Sequence, residues 1–405
     1  MVPFSGRCLL VFPERGGINL VKKIEMPAKE LSRIVTRLSI TTKSRTTHPG
    51  FTATEFDCIG TMVRMRTCDG ETETICVTDQ SSKSDWKFSV YTESLSSRMA
   101  AIVGACGDQV SVAITERNGG IRITSGKTNY DLGVLSDSVP SLDVSAKELS
   151  SVEVESGPFL SALDRAKGCT RRSETEFTHG MVTAGVMFEF GEDSLTLFCT
   201  DTVQAAIVPV GGVVKTVSAV PGSAGAQAIA PRAFAEACSS SLSGLESSVS
   251  VRSFGVILPG GRPDVRFLDF RHGGDTIRTR LFDGRYPELR GIGPKSGSKF
   301  LLKRSEFRAA LRQVMVDEGG GSVSFSFEGD ELHLSSKSGE SRSECPCLSE
   351  FESVHSFKID PQRVSDYLAK FAGDEVDILF GSGNAVRFTD PAYEGYQFIV
   401  MKMGK

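Results

Sequence analysis

The chain has 405 residues, 40% of them hydrophobic and 24% charged, with a formal net charge of −4. This balance suits folded globular domains and excludes a disordered or fibrous chain. No apolar run approaches the roughly 18 residues of a membrane-crossing helix, so a cytoplasmic protein without membrane contact is expected.

Residues 1–21 carry a short apolar stretch, Cys8 to Phe12, interrupted at once by Pro13, Glu14 and Arg15. It is too short for a secretory signal and is expected to be a loose extension. Pro27 then opens an amphipathic helix with Leu31, Ile34, Val35 and Leu38 on one face, the i, i+3, i+4, i+7 spacing of a helix packed on a core. A second helix follows with Leu95, Met99 and Ile102, and an alternating strand covers 109–114. The same order returns twice. Phe159, Leu160, Leu163 and Ala166 mark the middle copy's first helix; a hairpin over 184–198 turns at Gly191-Glu192-Asp193; a helix over 231–238 precedes a strand over 248–253. Phe307, Ala310, Leu311 and Val314 open the last copy, and Val364, Tyr367, Leu368 and Phe371 mark its second helix, ahead of a strand over 375–380. The second helices begin near 92, 231 and 361, spacings of 139 and 130 residues. Such a period is too long for a solenoid, so each copy should own a core. The expected class is α+β, with domains over 22–146, 147–297 and 298–405 and linkers over 141–151 and 293–298. The cysteines are scattered singly apart from Cys345 and Cys347, which points to free thiols in a reducing compartment.

Charge is segregated. Windows 27–45, 158–172 and 301–315, which hold the three first helices, contain 13 basic and 3 acidic residues, against 33 basic and 47 acidic elsewhere. One such helix is ordinarily just a solvated face; three concordant ones suit a surface that meets phosphates without reading sequence. The DNA-facing candidates are Arg33, Arg37, Lys43, Arg45, Arg165, Arg172, Arg308 and Arg312. No zinc-finger, basic-zipper or RNA-binding signature is present.

Several segments carry a family resemblance. Leu281-Phe282-Asp283-Gly284-Arg285-Tyr286-Pro287-Glu288-Leu289-Arg290 resembles a "DGRFPDY" segment, and Ile123 to Leu132 followed by Val139-Pro140 resembles "SGRSRFSL…FP". Thr200-Asp201 matches an "ATDG" strand end, with Val77-Thr78-Asp79 as its expected counterpart in the first copy, and Phe398 to Met403 resembles "VVMPMRL". In this order, with the threefold repeat, the chain resembles the β sliding clamps, the β subunits of bacterial DNA polymerase III, as a divergent member.

That resemblance implies three clamp domains, each with two helices and two small antiparallel sheets, and a head-to-tail homodimeric ring around double-stranded DNA. The ring would tether a DNA polymerase III α-type subunit, be opened by a clamp loader and serve other proteins carrying clamp-binding motifs. Size agrees: a domain of about 130 residues is a sphere about 36 Å across, so six in a ring leave a hole of about 36 Å and three leave about 6 Å. The resemblance also implies a partner-peptide groove formed by Thr183, Thr200, Thr202, Val203, Ala205, Pro287, Ile292, Ile399 and Met401. Here the chain departs from the family: Thr202-Val203-Gln204-Ala205 stands where Gly-His-Arg-Leu is usual, Gly291 replaces an Arg, Lys402 a Pro, and Gly404-Lys405 the final Arg-Leu.

Competing classes find less support. A clamp-like scaffold that binds partners without being loaded on DNA is the alternative reading. A serine hydrolase comes third, because Ser296-Gly297-Ser298-Lys299 meets the S-x-x-K spacing but lies in a linker without S-D-N or K-T-G segments. The five histidines show no H-x-x-x-H or H-E-x-x-H spacing and no Walker loop occurs. No catalysis, cofactor or metal is expected.

Overall fold

The computed structural model describes residues 22–43, 46–80, 85–106, 110–142, 146–170, 180–212, 214–219, 226–242, 247–261, 263–316, 321–348 and 355–404. The 1–21 extension and the candidates Arg45 and Arg172 lie outside the described residues. The first repeat runs β1 (Lys23–Pro27), α1 (Ala28–Ser39), β2 (Ala53–Ile59), β3 (Met62–Cys68), β4 (Thr72–Asp79), β5 (Trp86–Tyr91), α2 (Thr92–Cys106), β6 (Ser111–Arg117), β7 (Gly120–Ser125) and β8 (Thr128–Gly133). The second runs β9 (Lys147–Glu155), α3 (Ser156–Ala166), the single turn α4 (Gly180–Thr183), β10 (Gly185–Phe190), β11 (Leu195–Thr200), β12 (Gln204–Pro209), β13 (Val214–Ala219), β14 (Ala226–Pro231), α5 (Arg232–Leu242), β15 (Ser248–Ile257), β16 (Pro263–His272) and β17 (Asp275–Arg280). The third runs β18 (Ser298–Lys303), α6 (Arg304–Val314), β19 (Val323–Glu328), β20 (Glu331–Ser335), β21 (Arg342–Pro346), β22 (His355–Ile359), α7 (Pro361–Leu368), β23 (Glu375–Phe380), β24 (Ala385–Thr389) and β25 (Gln397–Met401).

Each repeat lays two helices against two antiparallel sheets. In the first, Leu31, Ile34, Val35 and Leu38 of α1 and Leu95, Met99 and Ile102 of α2 pack with Ile24, Val112, Ile121, Phe56, Val63 and Phe88 from both sheets. These side chains are at most 5% exposed, and burying each stabilises the fold by roughly 1.5–3 kcal/mol before entropy is counted. In the third repeat Phe300 stacks on Phe327 at 4.0 Å and Phe325 on Phe357 at 5.3 Å. Apart from the single turn α4, the helices follow strands directly or within one residue, and α7 shows a start signal: Pro361 sits at its first helical position, and the Asp360 carboxylate accepts from the backbone N–H groups of Gln362 at 3.0 Å and Arg363 at 3.3 Å.

The sheets join the repeats. One sheet has the order β13-β9-β15-β16-β17-β4-β3-β2-β5 and another β14-β10-β11-β12-β25-β24-β23-β18, while β1-β6-β7-β8 and β21-β20-β19-β22 stand at the two ends. The fourth strand of one repeat therefore pairs antiparallel with the last strand of the next, as β4 with β17 and β12 with β25. By the same order β21 and β8 are the two strands whose joining edges are open. The first linker is shorter than its composition suggests. Residues 147–151 belong to β9, where Leu149, Ser150 and Ser151 are buried.

Candidate functional site

Polar residues lock the joints, and two of the nominated basic residues belong to these locks. Arg37, near the end of α1, is 5% exposed, and its Nη1 lies 2.5 Å from Asp275 Oδ2 at the start of β17. Ser241 of α5 also donates to that oxygen. At the equivalent place on α3, Arg165 is 4% exposed, with its guanidinium 4.4 Å from the Tyr393 ring centre and 5.2 Å from that of Tyr396. Tyr367 of α7 donates to the Arg165 carbonyl at 2.7 Å. Arg37 and Arg165 are thus turned into the next repeat and are not available to DNA, a correction that follows from their place beside the apolar stripe of each helix.

Four other nominated residues remain at the surface or close to it. Arg33 is exposed on α1; Lys43 is exposed with its Nζ 5.2 Å from the Phe51 ring centre; Arg312 is exposed and Arg308 half-buried on α6. Desolvation, then the neighbouring Arg312 and Arg304, holds the Arg308 guanidinium below its ordinary value. Like charges crowded this way favour an anionic ligand.

At the second joint the hairpin turn between β11 and β12 meets β25 and the linker ahead of β18. Asp201 Oδ1 accepts from the backbone N–H groups of Val203 and Gln204, both at 2.9 Å, while its other oxygen pairs with Arg363. This turn forces Thr202 to φ 79°, the one non-glycine residue among those described with positive φ. The first repeat makes the same turn after β3: Asp69 Oδ1 accepts from Glu71 N at 2.8 Å and Thr72 N at 2.7 Å, and Gly70 takes φ 95°. The counterpart of Thr200-Asp201 is therefore Cys68-Asp69, at the end of β3. Val77-Thr78-Asp79 ends β4 instead, one strand later.

The turn walls an apolar groove of about 310 Å³ lined by Thr200, Thr202, Val203, Gln204, Ala205, Pro287, Ile292, Ile399 and Met401. Eight of the nine groove candidates line it. Thr183, fully buried in α4, does not, and Gln204 was missing from them. Gln204 could have been anticipated, since it sits between two nominated neighbours on the turn. Val203 and Ile292 are each about two-fifths exposed at 41% and 40%. Met401 N donates to Val203 O at 2.8 Å, tying the turn to β25, and the lining residues Ala205 and Ile399 pack with Phe198 and Leu289. A Cβ on Gly293 would come within 3.2 Å of Ile399 Cδ1, so the linker lies close against the sheet. Lys402 has no part in this lining; its Nζ donates to Gly381 O at 2.7 Å on the far side of the strand. Beyond Thr202, Val203 and Gln204 the groove opens into a polar cleft of about 940 Å³ bordered by Lys167, Arg232, Arg363, Lys370 and Asp360. At the first joint Phe51 covers the corresponding turn, its ring 3.4 Å from where a Gly70 Cβ would stand.

Comparison with protein-family models gave no match, and comparison with curated proteins gave none. Solved structures do match along the chain. The DNA polymerase III β subunit of Thermotoga maritima is 18% identical, covering 95% of this chain and 99% of its own, with a TM-score of 0.80. A sliding clamp from Bartonella birtlesii bound to griselimycin is 16% identical over 95% and 100%, with a TM-score of 0.79. That of Caulobacter crescentus is 15% identical over 95% and 100%, with a TM-score of 0.77. The chain has the fold of the bacterial sliding clamps, the β subunits of DNA polymerase III.

Proposed function

We propose that the chain is a DNA polymerase processivity factor: two copies close head to tail into a ring around duplex DNA and hold polymerase and other partners through the groove at the second joint. The carrying observation is the sheet order. Both joints within the chain pair a fourth strand with a last strand, and the two strands that lack such a partner among the described residues, β21 and β8, are the complementary pair needed to close a ring with a second copy. Pairing them would also cover both open edges, which isolated proteins otherwise have to protect. Exposed Val134 just beyond β8, Leu348 just beyond β21, and Val316 just beyond α6, the helix packed on β21, at 39%, 52% and 81% exposure, suit such a contact.

Arg33, Lys43, Arg308 and Arg312 would contact phosphates, weakly and without sequence preference, since retention would come from the closed ring. The groove would take an apolar peptide anchor, its Met401 and Ile399 walls supplying adaptable contact. The chain itself would supply binding and no catalysis. No helix among the described residues is long and apolar enough to cross a membrane.

The test is retention on DNA. With a clamp loader present, the chain should stay on nicked circular DNA and leave once the circle is linearised. Equal retention on both forms would refute the ring, and binding of partner peptides without any retention would favour a scaffold that is never loaded.

A further inference from the structure

Laid on one another strand by strand, the three repeats differ at three matching positions. The first helix of each repeat places its leading core residue, Leu31, Phe159 or Phe307, fourth in the helix, and its tenth residue is Arg37, Arg165 and Gln313 in turn. Register gives the facing position in the next repeat. Thr72 and Gln204 each stand three residues past a turn aspartate, Asp69 or Asp201, and pair with Thr279 and Val400. Asp275 and Tyr396, four residues ahead of those partners, are therefore equivalent, and they are the groups that Arg37 and Arg165 meet. In the first repeat this place belongs to Thr128. Gly126 and Gly273 both take φ 56° in two-residue turns, after which Thr128 pairs with Ser125 just as Asp275 pairs with His272. The third position is on the second helix: Ser241, the tenth residue of α5, donates to Asp275, and the tenth residue of α2 is Ala101.

Burial divides these residues the same way. Arg37, Arg165, Asp275, Tyr396 and Ser241 are at most 7% exposed, each covered by the neighbouring repeat, whereas Gln313, Thr128 and Ala101 are exposed. Gln313 lies over β21, where its Oε1 accepts from Ser343 Oγ at 2.6 Å, and Thr128 opens β8. These are the two strands with open edges. A surface covered at both joints within the chain and bare at the chain's two ends is one that a further copy covers in a head-to-tail contact.

Given the proposed ring, we infer that Gln313 of one copy meets Thr128 and Ala101 of the other, and that this uncharged lock makes the subunit joint the one that parts. Inside the chain a guanidinium, once seated, is kept from water by the rest of the fold. Between copies the same group would have to shed its water at every closing, a cost several times that of burying an amide, a hydroxyl or a methyl group. The uncharged set also holds less firmly, because a desolvated charge pair across an interface acts chiefly by slowing dissociation. The helix position that fixes the inner joints thus leaves the outer one free to close and part.

Two pools of the full chain, one carrying a donor dye and one an acceptor, report subunit exchange by energy transfer. Gln313→Arg or Thr128→Asp alone should speed exchange, since each places a charge in the joint without its partner. Together they recreate the pair of Arg37 and Asp275 and should slow exchange at least about tenfold relative to the unaltered chain. Circular dichroism melts at concentrations where the chain is monomeric should be the same for all four proteins, because both positions are exposed there. Single variants that exchange like the unaltered chain, or a double variant that exchanges no more slowly than it, would overturn the contact while leaving the dimer standing. A chain that stays monomeric at every concentration would overturn the ring and this lock with it.

Discussion

Thr202 shows what a single backbone angle can cost. A β-branched residue at positive φ crowds its own carbonyl, a conformation disfavoured by roughly 1–2 kcal/mol, and the first repeat solves the same turn with Gly70. Thr202→Gly should therefore stabilise the chain by about 1 kcal/mol once the greater freedom of an unfolded glycine is set against the relieved strain. Urea unfolding would show this as a higher midpoint at unchanged slope, and a lower midpoint would mean that Thr202 makes contacts worth more than its strain. Arg37 poses the opposite case. Arg37→Ala leaves Asp275, 7% exposed, without its cation, and breaking a buried pair costs about 3–5 kcal/mol. The double change Arg37→Met with Asp275→Leu should cost much less, because neither charge is then stranded. The sequence held part of the signal for this lock: Arg165 stands three residues past Ala162, which only the structure shows to be buried, and Arg37 three past the nominated Ile34, on the flank of the α1 stripe. Arg33 stands nearly opposite it. What the sequence hid was the acceptor, since nothing local to Asp275 links it to a helix over 200 residues earlier.

The elements themselves were legible because each signal is local. Apolar spacing of three and four placed α1, α2, α6 and α7, and turn residues bounded β10 and β11. Strand pairing across repeats was not legible, because β4 meets β17 and β12 meets β25 through backbone groups that every residue possesses. That same lack of side-chain code makes the open edges testable. Ser125 and Thr128 close a two-residue hairpin between β7 and β8, so the next residue, Asn129, directs its backbone N–H to the open side. Asn129→Pro should leave the fold intact, since proline is tolerated where an edge N–H faces out. It should also abolish pairing with a second copy. Sedimentation should then find monomer at concentrations where the unaltered chain is dimeric; an unchanged dimer would place the subunit contact elsewhere.

For the whole molecule, the meaningful division of charge is between residues that lock one repeat to the next and residues left facing outward. The net charge of −4 hides both groups, and counting basic residues by helix mixes them. Salt dependence separates them. Each phosphate neutralised on duplex DNA contributes about −0.9 to the slope of log K against log salt, so the weak binding to short linear duplex that the proposed function calls for would report how many cations touch the backbone. Arg33→Ala, Lys43→Ala and Arg312→Ala should each make that slope shallower by about 1 while leaving the melting temperature nearly unchanged, because these side chains are exposed. Arg165→Ala should do the reverse, because its guanidinium lies against Tyr393 and Tyr396 inside a joint: stability falls and the slope stays. If the buried arginine changed the slope as much as the exposed ones, then the joint would have to open when DNA binds, and the ring would owe its hold to more than topology.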